Sequence, residues 1–318
     1  MKIGTKTYLS ALENIIWPIV FIVYGIFCIL NADAMLSIRM IKDIAYSATP
    51  LGFLVLAEAI VLLNGNFDLS VGQIAGLSAA VGAIFAANDL VPPAFTPFVP
   101  IIVGTLCGCV NGILVGKIGL NAFLATLGTF LVFDGIQLLT RHTVIFEFPE
   151  IYLVPGEIWY VSILIFVCAL GCLHIFLYKT KYGYHYLAVG SSQKASGMLG
   201  LPITKIIFLS FVLSGLLSGI SGLFYTGYLG AYGPLIAEDT VFMAFAAAVL
   251  GGISLKGGRG KIINVFGGVI LLGIISSGLT VLAVSPYVRR VLFGVLVVTA
   301  IIIDLMKNRI REKVMKEN

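Results

Sequence analysis

The sequence predicts an all-α polytopic membrane protein, one domain over residues 1–318 with about ten transmembrane helices. Three observations predict it. Hydrophobic residues make up 59% of the chain, charged residues only 11%, and the mean hydropathy is +1.06. A soluble domain carries roughly 25% charged residues. This chain cannot cover itself with polar surface, so its solvent is lipid. Second, the apolar residues gather in runs of spanning length. Third, the basic residues are segregated to one side of those runs.

Crossing a ~30 Å hydrocarbon core takes about 20 helical residues. Runs that approach this length lie at 14–31, 44–63, 69–87, 98–118, 121–140, 158–178, 204–228, 240–255, 262–283 and 287–305. Backbone groups in lipid must bond within their own segment, which favours helices, and the runs are too uniformly apolar for barrel strands. The first run follows Lys2 and Lys6 and precedes Ala32-Asp33-Ala34, which mimics a signal cleavage site. It is long for a signal segment and contains Pro18, so it is read as an uncleaved first span. Asn88-Asp89, Pro92-Pro93, Pro149, Pro155-Gly156 and Gly233-Pro234 mark the turns between spans.

With the N-terminus in the cytoplasm, fifteen of the 20 Lys and Arg residues fall on that side. The other five, Arg39, Lys42, Arg141, Arg289 and Arg290, fall outside. This asymmetry supports the orientation and places both termini, including the tail 306–318, in the cytoplasm. A two-half pseudo-repeat is suggested by "VLLNGNFDLSVGQI" (61–74) and "VLGGISLKGGRGKI" (249–262), each joining an inward span to an outward one.

Some ionisable residues lie where lipid should be. Asp68 follows the turn formers Asn64, Gly65 and Asn66, so the second span breaks there. Asp68 or Ser70 can cap the helix beginning "SVGQIAGLSA", with Ser70 and Gln73 spaced as a capping box. Two readings stay open: a cap at the membrane edge, or an element lining a translocation path with Asn66 and Ser70. Glu58, ten residues earlier, has no cation nearby in sequence and is either a path residue or an internally bonded carboxyl. Asp134 is similar but nearer a helix end.

Residues 179–205 form the longest polar, basic cytoplasmic connection. Ser192 is a good N-cap, "QKASGML" follows, Gly200 suits the C′ position and Pro202 lies just beyond. This describes a short capped helix whose end, Met198 and Leu199, needs covering. It suits docking into a groove on a cytoplasmic partner, or lying on the membrane surface. The turn "GGISLKGGRGK" (251–261) is glycine-rich, but no GxxxxGK[ST] phosphate loop occurs in the chain. It is read as an orientation signal and headgroup contact.

No catalytic or metal constellation can be assembled. His142, His174 and His185 fall in three compartments, and His174 is read as a packing residue. Cys168 and Cys172 share a helix face without a histidine or carboxylate partner and are read as buried thiols. Nothing points to nucleic acid.

Four stretches resemble one family: "NGNFDLSVGQIAGLSA" (64–79), "NAFLATLGTFLVFDGI" (121–136), "LAVGSSQKASGMLGLPITKIIFLSFVLSG" (187–215) and "AVLGGISLKGGRGKIINVFGGVILLGIISSGL" (248–279). They are similar, in matching order, to segments of the sugar-type, ribose-permease-like transmembrane subunits of ATP-binding cassette importers. The resemblance implies a permease subunit in a bacterial-type cytoplasmic membrane, importing a monosaccharide or related polar solute by alternating access. It implies a second permease subunit, identical or not, a cytoplasmic ATP-binding cassette ATPase and an extracytoplasmic solute-binding protein. ATP would be bound by the ATPase, with no cofactor in this chain and no covalent chemistry. By position, Ser192, Gln193, Lys194 and Ala195 fall in the family's coupling helix and Asp68, Leu69, Ser70, Val71 and Gly72 in its signature turn. The chain departs from the pattern at Asn66-Phe67, Ser192 and Asp134. Arg289 and Arg290 supply an external basic pair that meets either an acidic lip on the binding protein or lipid headgroups. A branched-chain amino-acid permease is the rival within the class, and a self-contained secondary transporter the rival outside it.

Overall fold

The computed structural model describes residues 13–140, 143–237 and 239–316. Lys2, Lys6, Arg141, His142 and Glu238, which entered the sequence reading, lie outside the described residues. Secondary structure among the described residues is helical, apart from one isolated bridge pairing Ile145 with Tyr232.

The helices are α1 (Ile16–Leu30), α2 (Ala32–Met35), α3 (Ile38–Leu63), α4 (Val71–Ala87), α5 (Phe98–Gly112) and α6 (Ala122–Thr140). Then come α7 (Glu150–Glu157), α8 (Trp159–Lys179), α9 (Lys181–Ser191), α10 (Gln193–Met198), α11 (Ile203–Leu229), α12 (Thr240–Leu250), α13 (Ile262–Val281) and α14 (Pro286–Lys316). Each of the ten apolar runs contains a helix, and among the described residues six helical stretches are long and apolar enough to cross a membrane. Six of the ten expected spans meet this measure of length and hydropathy among the described residues. The clearest shortfall is α12, whose 11 residues reach ~16 Å at 1.5 Å per residue. It stops at Leu250 because Gly252, Gly257, Gly258 and Gly260 all take positive φ, and the run read as 240–255 is part helix, part loop.

α3 and α11 form the axis of the molecule. The apolar window of α3 is 83% buried, against 22% for α8, so α3 is a core helix and α8 a lipid-facing one. Ser37 caps α3 by accepting from Met40 N at 3.2 Å. Pro50 sits inside α3, and Ser221 of α11 donates to its carbonyl at 2.7 Å. Cys168 and Cys172 lie on the outer face of α8 and are exposed, correcting their reading as buried thiols. His174 packs on Tyr178, ring centroids 5.1 Å apart.

The tightest helix pair is α5 with α11. Gly104, Gly108, Gly112 and Gly116 recur every fourth residue and so share one helical face. A Cβ at any of them would meet α11 backbone, from Gly219 at one end to Thr204 at the other. Such small-residue ladders let helices approach closely where lipid supplies no hydrophobic drive. Gly108→Val should therefore separate α5 from α11 and destabilise the fold by about 1–3 kcal/mol or more. Gly128→Val, at a site with nothing within 4 Å, is the control. Equal thermal unfolding of the two variants in detergent would contradict this packing.

Candidate translocation and coupling site

Chain direction breaks after α3. Asn64 is buried at its C-cap and Gly65 turns the backbone with φ +78°. Five residues, 66–70, then bring the chain to α4, and Asp68 holds them in place. Its Oδ1 accepts from Ser70 N at 2.9 Å and Ser70 Oγ at 2.6 Å. Its Oδ2 accepts from Ser214 Oγ of α11 at 3.2 Å. Ser70 Oγ in turn accepts from Asn111 Nδ2 of α5 at 2.8 Å. Leu69 N donates to Thr126 Oγ1 of α6 at 3.1 Å. One fully buried carboxylate thus fastens the start of α4 to α5 and α11, while the adjacent amide reaches α6.

The expected capping box does not form. Ser70 occupies the N-cap position of α4 but makes no side-chain cap bond, because its hydroxyl is turned back to Asp68. Gln73 Oε1 is buried without a hydrogen-bond partner. Glu58, on α3, is fully enclosed, and neither carboxyl oxygen makes a hydrogen bond of good geometry among the described residues.

Asn66 and Phe67 face an open cleft of about 410 Å³ with Asn121, Phe123 and Phe245. Phe67 stacks on Phe123 (centroids 6.2 Å) and meets Phe245 edge-on (4.9 Å). Of the four path candidates, Asn66 lines this cleft, whereas Glu58, Asp68 and Ser70 are enclosed behind it.

The connection between α8 and α11 holds two helices rather than one. Sequence reasoning missed α9, although Thr180 is a clear cap whose Oγ1 accepts from Gly183 N at 3.1 Å. α10 is as expected: Ser192 Oγ accepts from Ala195 N at 3.2 Å, and Gly200 follows with φ +74°. Gln193, Lys194 and Ala195 are exposed, and Met198 and Leu199 are 77% and 78% exposed.

α9 seats this exposed helix on the broken end of α3. Tyr186, buried, donates to the Ile60 carbonyl at 2.6 Å. Gly190, two residues before the Ser192 cap, lies so close to the Leu63 carbonyl and to Gly258 that no side chain fits. Gly258 N donates to the same Leu63 carbonyl at 2.8 Å, and a Cβ on Gly257 would meet Gly65 and Gly190. Three backbones therefore touch without intervening side chains: the Asp68 loop, the 251–261 loop and the approach to α10.

At the opposite end of the bundle, Arg289 Nε donates to the Val284 carbonyl at 2.8 Å and Nη1 to Thr280 Oγ1 at 2.9 Å, closing the α13–α14 turn. Arg290 pairs with Asp239 at 2.6 Å, with its side chain 66% exposed.

Asn111, Thr126 and Ser214 complete the Asp68 site and were not singled out in the sequence. A signal for one of them was present. Ser210, Ser214 and Ser218 recur every fourth residue in an otherwise apolar helix, and such a polar stripe inside a span must face protein. Among the described residues no His, Cys, Asp and Glu cluster suits a metal ion.

A polytopic helical bundle with a broken helix held by a buried carboxylate fits a membrane transport subunit. The chain belongs to the family described as the branched-chain amino acid transport system permease component, whose model matches residues 40–301. It is a permease subunit of an ATP-binding cassette importer, a transport subunit rather than an enzyme. It is similar to the ribose import permease protein RbsC of Bacillus subtilis, 32% identical over 91% of each chain. It is also similar to the L-arabinose transport system permease protein AraH of Escherichia coli, 29% identical over 93% of this chain and 92% of that one. The fructose import permease protein FrcC of Rhizobium meliloti is 28% identical over 78% of this chain and 72% of its own. No solved structure matches.

Proposed function

We propose that this chain forms the membrane path for a monosaccharide or related polar solute. The names of the relatives, which specify ribose, fructose and arabinose import, favour a sugar over a branched-chain amino acid. The chain sits in a bacterial-type cytoplasmic membrane with both termini inside, and α1, α4, α12 and α14 join the six longer spans to complete a ten-helix unit. It pairs with a second permease subunit, whose arrival closes the cleft at Asn66 and Phe67. A solute-binding protein delivers cargo to the outer face, with Arg290 and Arg289 at its rim. The 61–74 and 249–262 segments are the inner turns of a two-half repeat, a reading supported by their contact at Gly65 and Gly257.

One observation carries the coupling route: the backbone junction at Gly190. The cytoplasmic ATPase docks on Ser192, Gln193, Lys194, Ala195, Met198 and Leu199. Its motion reaches the Asp68 loop through Leu63, Gly65 and Gly190, where no flexible side chain absorbs it. Gly190→Ala should leave the ATPase bound but cut solute-stimulated hydrolysis by up to about a hundredfold, the loss a ~1 Å misplacement can cause. Stimulation at the wild-type level in that variant would remove the junction from the route.

The reading of cargo is tested by reconstituting the permease with its ATPase and binding protein. Uptake of labelled pentoses and hexoses, with leucine and valine as comparators, is measured. Sugar uptake is expected; uptake of only the amino acids would install the rival.

A further inference from the structure

A second polar cavity lies apart from the site above. It has a volume of about 340 Å³ and is enclosed by the 251–261 loop, the start of α13, the charged end of α14, Glu13 and Tyr178. It opens at the same end of the bundle as α10, since Gly257 and Gly258 of that loop abut Gly190 and Ser191.

Charge in this cavity is unbalanced. Among the described residues, Arg259, Lys261, Lys307 and Arg311 line it with two carboxylates, Glu13 and Asp304. Glu13 is shared between Lys261 (3.1 Å) and Arg311 (3.5 Å). Asp304 Oδ2 accepts from Asn308 Nδ2 at 3.0 Å. Arg259 and Lys307 form no ion pair among the described residues. Burial pushes the Lys307 ammonium below the usual lysine range although Asp304 lies beside it. A cation held in that environment calls for an anion.

The backbone adds to the same field. Lys261 is the N-cap of the 20-residue α13 and provides no side-chain cap bond, so the positive end of that helix dipole faces the cavity wall. Tyr178 fixes the loop there, donating to the Gly260 carbonyl at 2.8 Å and accepting from Ile262 N at 3.1 Å. Trp17 donates to Asn264 Oδ1 at 3.3 Å beside it. An indole and a phenol, each with an apolar body and a bonded polar tip, mark the level of a membrane–water interface.

We propose that this cavity binds a phosphate group, and that its source is the headgroup of an anionic phospholipid. The excess of two positive charges is enough to neutralise a phosphate, whether a diester with one negative charge or a monoester with up to two. Separate donors on Arg259, Lys307 and Ser254 can surround a tetrahedral group. The interfacial aromatics favour a lipid over a soluble ester. Occupancy would tie α14 to the loop that meets Gly190.

The test uses the full-length protein in vesicles of phosphatidylcholine with or without phosphatidylglycerol, then native mass spectrometry after mild extraction and thermal unfolding of each sample. Wild type should retain phosphatidylglycerol and unfold at a higher temperature with it. Arg259→Gln combined with Lys307→Gln should retain it roughly thirtyfold more weakly, at about fivefold per cation. Arg259→Gln alone, at an exposed position, covers the case in which the double variant fails to fold, and should lose about fivefold. Millimolar inorganic phosphate is the second arm. Stabilisation by phosphate in phosphatidylcholine alone, lost in the variants, would keep the chemistry and overturn the lipid source. Equal retention and equal unfolding in wild type and Arg259→Gln would overturn the site. Loss of ATPase binding in Arg259→Gln with lipid retention intact would assign the cations to a protein partner and also overturn it.

Discussion

Met198→Asp combined with Leu199→Asp abolishes solute uptake while the protein remains inserted and folded. Both side chains stand in solvent on a helix capped at each end, so their replacement removes no internal contact. Each would contribute about 1.5–3 kcal/mol when buried in a groove of the ATPase. Losing both, and placing two carboxylates against an apolar groove, should weaken association by at least about a hundredfold. The measurement is retention of the ATPase by tagged permease, together with ATP hydrolysis stimulated by loaded binding protein. Undiminished retention and stimulation would show that α10 is not the docking element.

Asp68→Ala should be the most destabilising single substitution in the interior. It strands Ser70 N–H, Ser70 Oγ and Ser214 Oγ, all buried, and frees the connection to Asn111. Breaking a buried charged network by removing one member costs about 3–5 kcal/mol. Asp68→Asn keeps one carbonyl oxygen for Ser70 and should fall between alanine and wild type. Glu58→Gln keeps a carbonyl oxygen that can accept as the carboxyl does and removes an ionisable group from a fully enclosed site, so it should leave thermal stability unchanged or raise it. The opposite signs separate a strut from a passenger in one experiment. A Glu58→Gln variant that unfolds as readily as Asp68→Ala would contradict the geometry.

The sequence was most informative where structure is local. Ser192, Gly200 and Pro202 bracket α10 within a few residues of chain, and cap chemistry alone locates it. The break at Asn64-Gly65 was legible for the same reason. What closes that break was not, because Asn111 and Ser214 lie 41 residues from Ser70 and 146 residues from Asp68 along the chain. Local reasoning paired Ser70 with Gln73, and tertiary bonds to Asp68 and Asn111 prevailed. α9 was read as loop because its polar, tyrosine-rich sequence lacks an apolar stripe; its helix rests on the Thr180 cap and on the buried Tyr186 anchor to α3. Hydropathy alone also does not fix how long each helix is. An apolar run such as 240–255 registers equally whether it is a full crossing or a short helix leading into a glycine loop.

Uptake into sealed vesicles containing this permease tests the central claim most directly. Internal solute is measured with and without the partner ATPase, with ATP on the ATPase side and binding protein on the other. Accumulation above the external concentration is predicted only when ATPase and ATP are both present, and only background when either is left out. Uphill accumulation by the permease alone would contradict the account.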